Sequence, residues 1–190
     1  MLINRGLCFW FTGLSGAGKT SVAQGVKQRL ERLNIKVLII DGDNIRKQHI
    51  RYLGFSAQDI RENNRLIAQL CKEKIGQADI IFASIISPFQ DSRQYARKLL
   101  NPNFYEIYFS ADLSVVKRRD VKGLYAKAMR NEIENLIGFS PGSIYEIPQK
   151  PDFIVSSGED PLEDSIKGLL DFVMSKLEES RPGSFRQSNF

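Results

Sequence analysis

Histidine and tryptophan each occur once, and cysteine twice, in this chain of 190 residues. So few thiols exclude a disulfide scaffold, and with one imidazole they argue against a histidine–cysteine metal centre. Cys8 and Cys71 lie in apolar stretches and read as small buried hydrophobes, the usage of a reducing compartment. No apolar run reaches the ~20 residues that cross a bilayer. The run after Arg5 stops at Gly13, too early for a secretory h-region. A cytoplasmic protein without membrane contact is the expectation. Two further absences narrow the function. No Asn/Thr-Lys-x-Asp segment offers guanine recognition, and no basic run interleaved with aromatics points to nucleic acid.

What is present has the make-up of an ordinary globular protein, with 42% hydrophobic and 26% charged residues. The net charge of +5 suits a surface that attracts anionic small molecules. The stretch that organises the rest is Gly13-Leu14-Ser15-Gly16-Ala17-Gly18-Lys19-Thr20, a phosphate-binding loop without a mismatch. Its glycines permit close backbone approach, so successive N–H groups can wrap a β-phosphate. Lys19 would reach the β and γ oxygens and Thr20 would offer its hydroxyl to Mg²⁺. The following helix would present its positive end to the anion. The flanks agree, since residues 7–12 read as a buried strand and residues 21–33 as an amphipathic helix with Val22, Ala23, Val26, Leu30 and Leu33 inward.

Further along, residues 36–40, 79–86, 104–109 and 152–155 read as strands, alternating with helices over 57–75, 91–100, from Leu113 and from Pro161. The pattern predicts an α/β fold of the P-loop kinase kind: a five-stranded parallel sheet, helices on both faces, and a lid segment. One domain is expected over residues 1–179, with the irregular, glycine- and proline-marked stretch of about 120–150 as the lid and 180–190 as a mobile tail. Asp41 and Asp43 end the second strand, where open α/β sheets place their ligands. A carboxylate there can hold Mg²⁺ or orient an acceptor hydroxyl, or simply cap the next turn. With no guanine motif, and with a lid to exclude water, a small-molecule kinase using ATP and Mg²⁺ fits best.

Several segments in series resemble the adenylylsulfate kinase family. They are the loop itself, Asp41-Gly42-Asp43-Asn44-Ile45-Arg46, Leu53-Gly54-Phe55-Ser56, Glu62-Asn63 with Arg65, Ile86-Ser87-Pro88, Arg119-Asp120, Lys122-Gly123-Leu124-Tyr125 and Tyr145-Glu146. The resemblance implies ATP-dependent phosphorylation of the 3′-hydroxyl of adenosine 5′-phosphosulfate, and a homodimer. It implies Lys19 and Asp41 as catalytic groups, with Ser87 matching a serine described as phosphorylated in bacterial members. The metal would be held by Thr20 and Asp41, and the donor nucleotide by residues 13–20 with Arg119. Asp43, Arg46, Phe55, Asn63, Ile86, Ser87, Lys122 and Leu124 would contact the acceptor, Phe55 stacking on its base.

Departures from the family pattern cluster on the acceptor side. Ile60 stands where an arginine is usual, with Arg61 one place later. Tyr52 and Met129 replace an expected aspartate and arginine. Leu136 takes the place of an aromatic that would face Phe55 across the base, and the lid is about two residues longer before Tyr145. These changes leave open another nucleotide-like acceptor, such as a pyrimidine nucleotide derivative.

Overall fold

A computed structural model of the chain describes residues 6–43, 45 and 53–180. Arg46, Tyr52 and the tail after Ser180 lie outside the described residues. The elements follow as β1 (Leu7–Thr12), α1 (Lys19–Arg32), β2 (Val37–Asp41), α2 (Ala57–Lys74), β3 (Ile80–Ser84) and α3 (Gln90–Leu100). Then come β4 (Phe104–Phe109), α4 (Leu113–Arg119), α5 (Leu124–Met129), β5 (Phe153–Val155) and α6 (Leu162–Ser180). The five strands form one wholly parallel sheet in the order β2-β3-β1-β4-β5.

The central strand β1 shows why the sheet needs cover on both sides. Its side chains alternate between faces, and every residue of β1 is buried. Leu7, Phe9 and Phe11 enter one core with Val22, Val26 and Leu30 of α1 and Leu169, Val173 and Leu177 of α6. Cys8 and Trp10 enter a second core with Ile67 and Cys71 of α2 and Ala96 and Leu100 of α3. Both cysteines are buried free thiols, as their setting implied. Aromatic contacts stitch the first core across strands, with the Phe9 and Tyr105 rings stacked at 5.2 Å and those of Phe11 and Phe109 4.9 Å apart.

Two expectations change. Leu33 is 56% exposed, because α1 ends at Arg32 and Leu33, at its C-cap, has left the helical face. The segment expected to be irregular contains α5. Asp120 accepts hydrogen bonds from the backbone N–H of Tyr125 and Ala126 at 3.0 and 2.8 Å, satisfying donors that a first helical turn leaves open.

The registers bring the carboxyl ends of four strands together. Asp41 of β2 lies beside Ser84 of β3, Ser84 beside Phe11 of β1, and Thr12 beside Tyr108 of β4. The loops that leave these ends make the site.

Candidate active site

The phosphate loop leaves β1 at Gly13 and enters α1 through Gly18. With φ of 84°, Gly18 occupies the left-handed region that a side chain would resist. The loop's cation is held within the loop: Lys19 Nζ donates to the carbonyls of Gly13 and Leu14 at 2.7 and 2.8 Å. Burial lowers its pKa to about 7, helped by the neighbouring charge of Lys122 and opposed by those of Asp43 and Asp41. Thr20 is exposed, its hydroxyl 3.3 Å from that of Ser84. Asp41, beside Ser84 in register, accepts the N–H of Asp43 at 3.0 Å. Thr20, Ser84 and Asp41 thus gather hard oxygen donors at neighbouring strand ends, the chemistry that Mg²⁺ prefers. No cluster of three or more His, Cys, Asp or Glu side chains occurs among the described residues.

The lid covers the loop from the other side. Tyr125 is 1% exposed and donates its hydroxyl to the carbonyl of Ser15 at 3.0 Å; burial pushes its pKa up to about 12. Phe139 meets Tyr125 edge-on at 5.8 Å, and Gly138 packs against Leu14. Lys122 reaches Asp43 at 2.5 Å in an exposed ion pair that joins the lid to the end of β2. Such a pair contributes little stability, so a phosphate ligand can exchange for it at low cost. Arg119 is exposed at the end of α4, and Leu124 is half-buried at the start of α5. An open cavity of about 450 Å³ adjoins the loop between β4 and the lid, lined by Leu14, Tyr108, Asp112, Phe139, Ser143 and Tyr145 among others.

In the segment expected to face the acceptor, Phe55 is 55% exposed, ahead of α2. The N-cap of α2 is Ser56, as its position before the helix suggests, its hydroxyl accepting the N–H of Asp59 at 3.1 Å. Nearly two turns into α2, Asn63 is 5% exposed and its Oδ1 has no hydrogen-bond partner among the described residues. A buried amide oxygen left unpaired is costly, and a ligand donor would relieve that cost. Asn64 is similarly buried, its Nδ2 unpaired among the described residues.

Three further positions named from the sequence are buried. Ser87 is 2% exposed and its Oγ accepts the indole N–H of Trp10 at 3.0 Å. Its hydroxyl is thus turned inward to the indole in this structure. Leu136 belongs to the main core with Val116, Tyr125 and Ala128, so it packs within the protein's interior. Ile60, in the place of the usual arginine, is buried in a small apolar cluster with Phe89 and Ile137. Arg61 does not take over that charge freely: it lies 4.0 Å over the Phe89 ring and pairs with Asp91 at 2.7 Å. Sequence reading assigned no role to Tyr125, Thr12 or Arg93. Tyr125 lay inside a quoted segment, and Arg93 carried no signal beyond an arginine near a helix start.

Comparison with known proteins agrees with this geometry. The family model described as "Adenylylsulphate kinase" matches residues 5–156. An adenylyl-sulfate kinase of Clostridium kluyveri is 38% identical over 179 residues, 94% of this chain and 89% of the relative. One from Acaryochloris marina is 44% identical over 168 residues, 88% and 81% of the two chains. The solved Mycobacterium tuberculosis APS kinase, in complex with AMPPNP and APS, superposes with a TM-score of 0.84 at 34% identity, covering 90% of this chain and 98% of that one.

Proposed function

The chain belongs to the adenylylsulphate kinase family, and on that premise we propose the following reading. The protein binds ATP and transfers its γ-phosphoryl group to the 3′-hydroxyl of adenosine 5′-phosphosulfate, giving 3′-phosphoadenosine 5′-phosphosulfate and ADP. The observation that carries it is the complete phosphate loop set beside the carboxylates that end β2, with the lid tied to both by Tyr125 and Lys122.

In this reading residues 13–20 and Arg119 hold the donor nucleotide. The loop N–H groups cradle the phosphates and Lys19 shares the charge that develops on the transferring group. Asp41 orients the acceptor hydroxyl and takes up its proton as the new oxygen–phosphorus bond forms and the bond to ADP breaks. Thr20 and Asp41 would hold Mg²⁺, which when bound neutralises charge on the phosphate oxygens. Asp43, Phe55, Asn63, Ile86, Lys122 and Leu124 contact the acceptor, joined by Arg46. Lys122 leaves Asp43 for a phosphate as the lid closes. Ser87 serves this site through its place in the acceptor turn and carries no phosphate. The resemblance further implies a homodimer, which sedimentation velocity reads directly.

The test is steady-state transfer from ATP with adenosine 5′-phosphosulfate against a panel of purine and pyrimidine nucleotides. The sulfated nucleotide should be the preferred acceptor at micromolar concentration. Preference for a pyrimidine acceptor would overturn the assignment. Lys19→Ala should lower kcat at least ~100-fold, the scale of a lost electrostatic contact in a transition state.

A further inference from the structure

The acceptor turn Ile86-Ser87-Pro88 is held from beneath by side chains to which the transfer step gives no role. Ser87 has φ of 44°, a left-handed conformation that a residue with a side chain adopts only when its surroundings impose it. Those surroundings are unusually specific. Thr12 Oγ1 lies 2.8 Å from the carbonyl of Ile86, 3.0 Å from that of Ser87 and 2.8 Å from the Tyr145 hydroxyl. A threonine hydroxyl has one proton, and carbonyls can only accept. The Thr12 proton therefore goes to the turn, and Tyr145 is the donor to Thr12. The result is a directed chain from Tyr145 through Thr12 to the turn, of the kind in which each bond strengthens the next. Burial raises the pKa of Tyr145, which keeps that proton in place.

A second support comes from Arg93, 3% exposed. Its guanidinium addresses three elements at once: Nη1 donates to the Ser87 carbonyl at 2.9 Å, Nη2 to the Glu146 carbonyl at 2.8 Å, and Nε pairs with Glu106 of β4 at 2.9 Å. Glu146 closes the frame. Its N–H donates to the carbonyl of Pro88 at 2.9 Å, and its carboxylate accepts the N–H of Gln90 at 2.5 Å. Gly13, the first residue of the phosphate loop, donates its N–H to the carbonyl of Ile86 at 3.2 Å.

We propose that Thr12, Tyr145 and Arg93 are positioning residues that lock the acceptor turn to the phosphate loop and to the lid's exit, so that acceptor affinity depends on side chains that never touch the acceptor. The inference rests on Ile86 lining the acceptor site, as the proposed function has it. It makes the lid's exit a determinant of acceptor binding while leaving donor binding to the loop itself.

Thr12→Val and Tyr145→Phe test it in the full chain. Both keep the shape of the side chain. In Thr12→Val the Ile86 carbonyl keeps Gly13 N–H and the Ser87 carbonyl keeps Arg93, so no turn carbonyl is orphaned. The expected result is an acceptor KM raised at least ~5-fold in each, a loss of the size of one buried hydrogen bond. Affinity for a non-hydrolysable ATP analogue should stay within about twofold. Thr12→Ser should restore the KM, and the double variant should be no worse than the worse single one, since both cut one chain. An acceptor KM within about twofold of wild type in both variants would overturn the proposal, as would an equal loss of ATP-analogue affinity. Hydrogen exchange of the same variants separates this question from the choice of acceptor. Should the wild type fail to phosphorylate adenosine 5′-phosphosulfate, the functional reading fails on its own. The lock is then judged by faster exchange over both 86–88 and 145–147 with 14–20 unchanged, and unchanged exchange over either segment sinks it.

Discussion

Lys19 is the residue whose chemistry is most exposed to test. Its folded pKa, about 7 against an ordinary 10.5, means that the native state holds fewer protons than the unfolded chain between those values. Stability linked to this group therefore rises with pH across that window, and the cost of a buried ammonium is fully present below it. A phosphate ligand favours the charged form and draws the pKa back up. Nucleotide binding above pH 7 should thus take up protons, and the uptake should fall as the pH is lowered through the folded pKa. Calorimetric titration in two buffers of different ionisation enthalpy measures this, and uptake that does not change with pH would contradict the lowered pKa. At this scale the sequence was legible where a motif fixes backbone and chemistry together, as from Gly13 to Thr20. It was not legible at Ser87 or Leu136. Their motif positions say nothing of which way the side chain points, and Trp10 and the lid core decide that.

Among the elements, the lid is where local conformation and contact meet. Gly138 has φ of 75°, and a Cβ there would lie 2.4 Å from Leu14 Cδ2 in the phosphate loop. Gly123 has φ of 65° and nothing within 4 Å of such a Cβ. The two glycines separate strain from contact. Gly123→Ala should cost about 1 kcal/mol, the penalty for a left-handed residue with a side chain. Gly138→Ala should cost more and also weaken nucleotide binding, because Leu14 must move. Urea unfolding and nucleotide titration of both variants decide it, and equal effects would show that the Leu14 contact yields freely. Strands were readable to within a residue or two, β1 and β4 being bounded as their apolar runs implied. α5 escaped because six residues are too few to establish a helical period. Its start depends on Asp120 reaching forward, which only coordinates reveal.

For the whole molecule, the parallel sheet turns four strand ends toward one site, so ligand binding is expected to stabilise all of it together. We propose that residues through Ser180 unfold as one cooperative unit. Scanning calorimetry should then show a single transition, raised by roughly 5 to 10 °C with MgATP at about 100 times its Kd. Two transitions, or no shift, would refute that unity. The sequence revealed that five strands exist and that their faces are covered. The order β2-β3-β1-β4-β5 stayed hidden, since a run of buried residues reads alike in any central strand.

The chain's one tryptophan is also the residue whose indole grips Ser87 beneath the acceptor turn. The protein therefore carries a built-in optical reporter, fully shielded from water and wired to one half of its site. Emission from that single fluorophore should register events at the turn, so the acceptor's arrival becomes visible without any label.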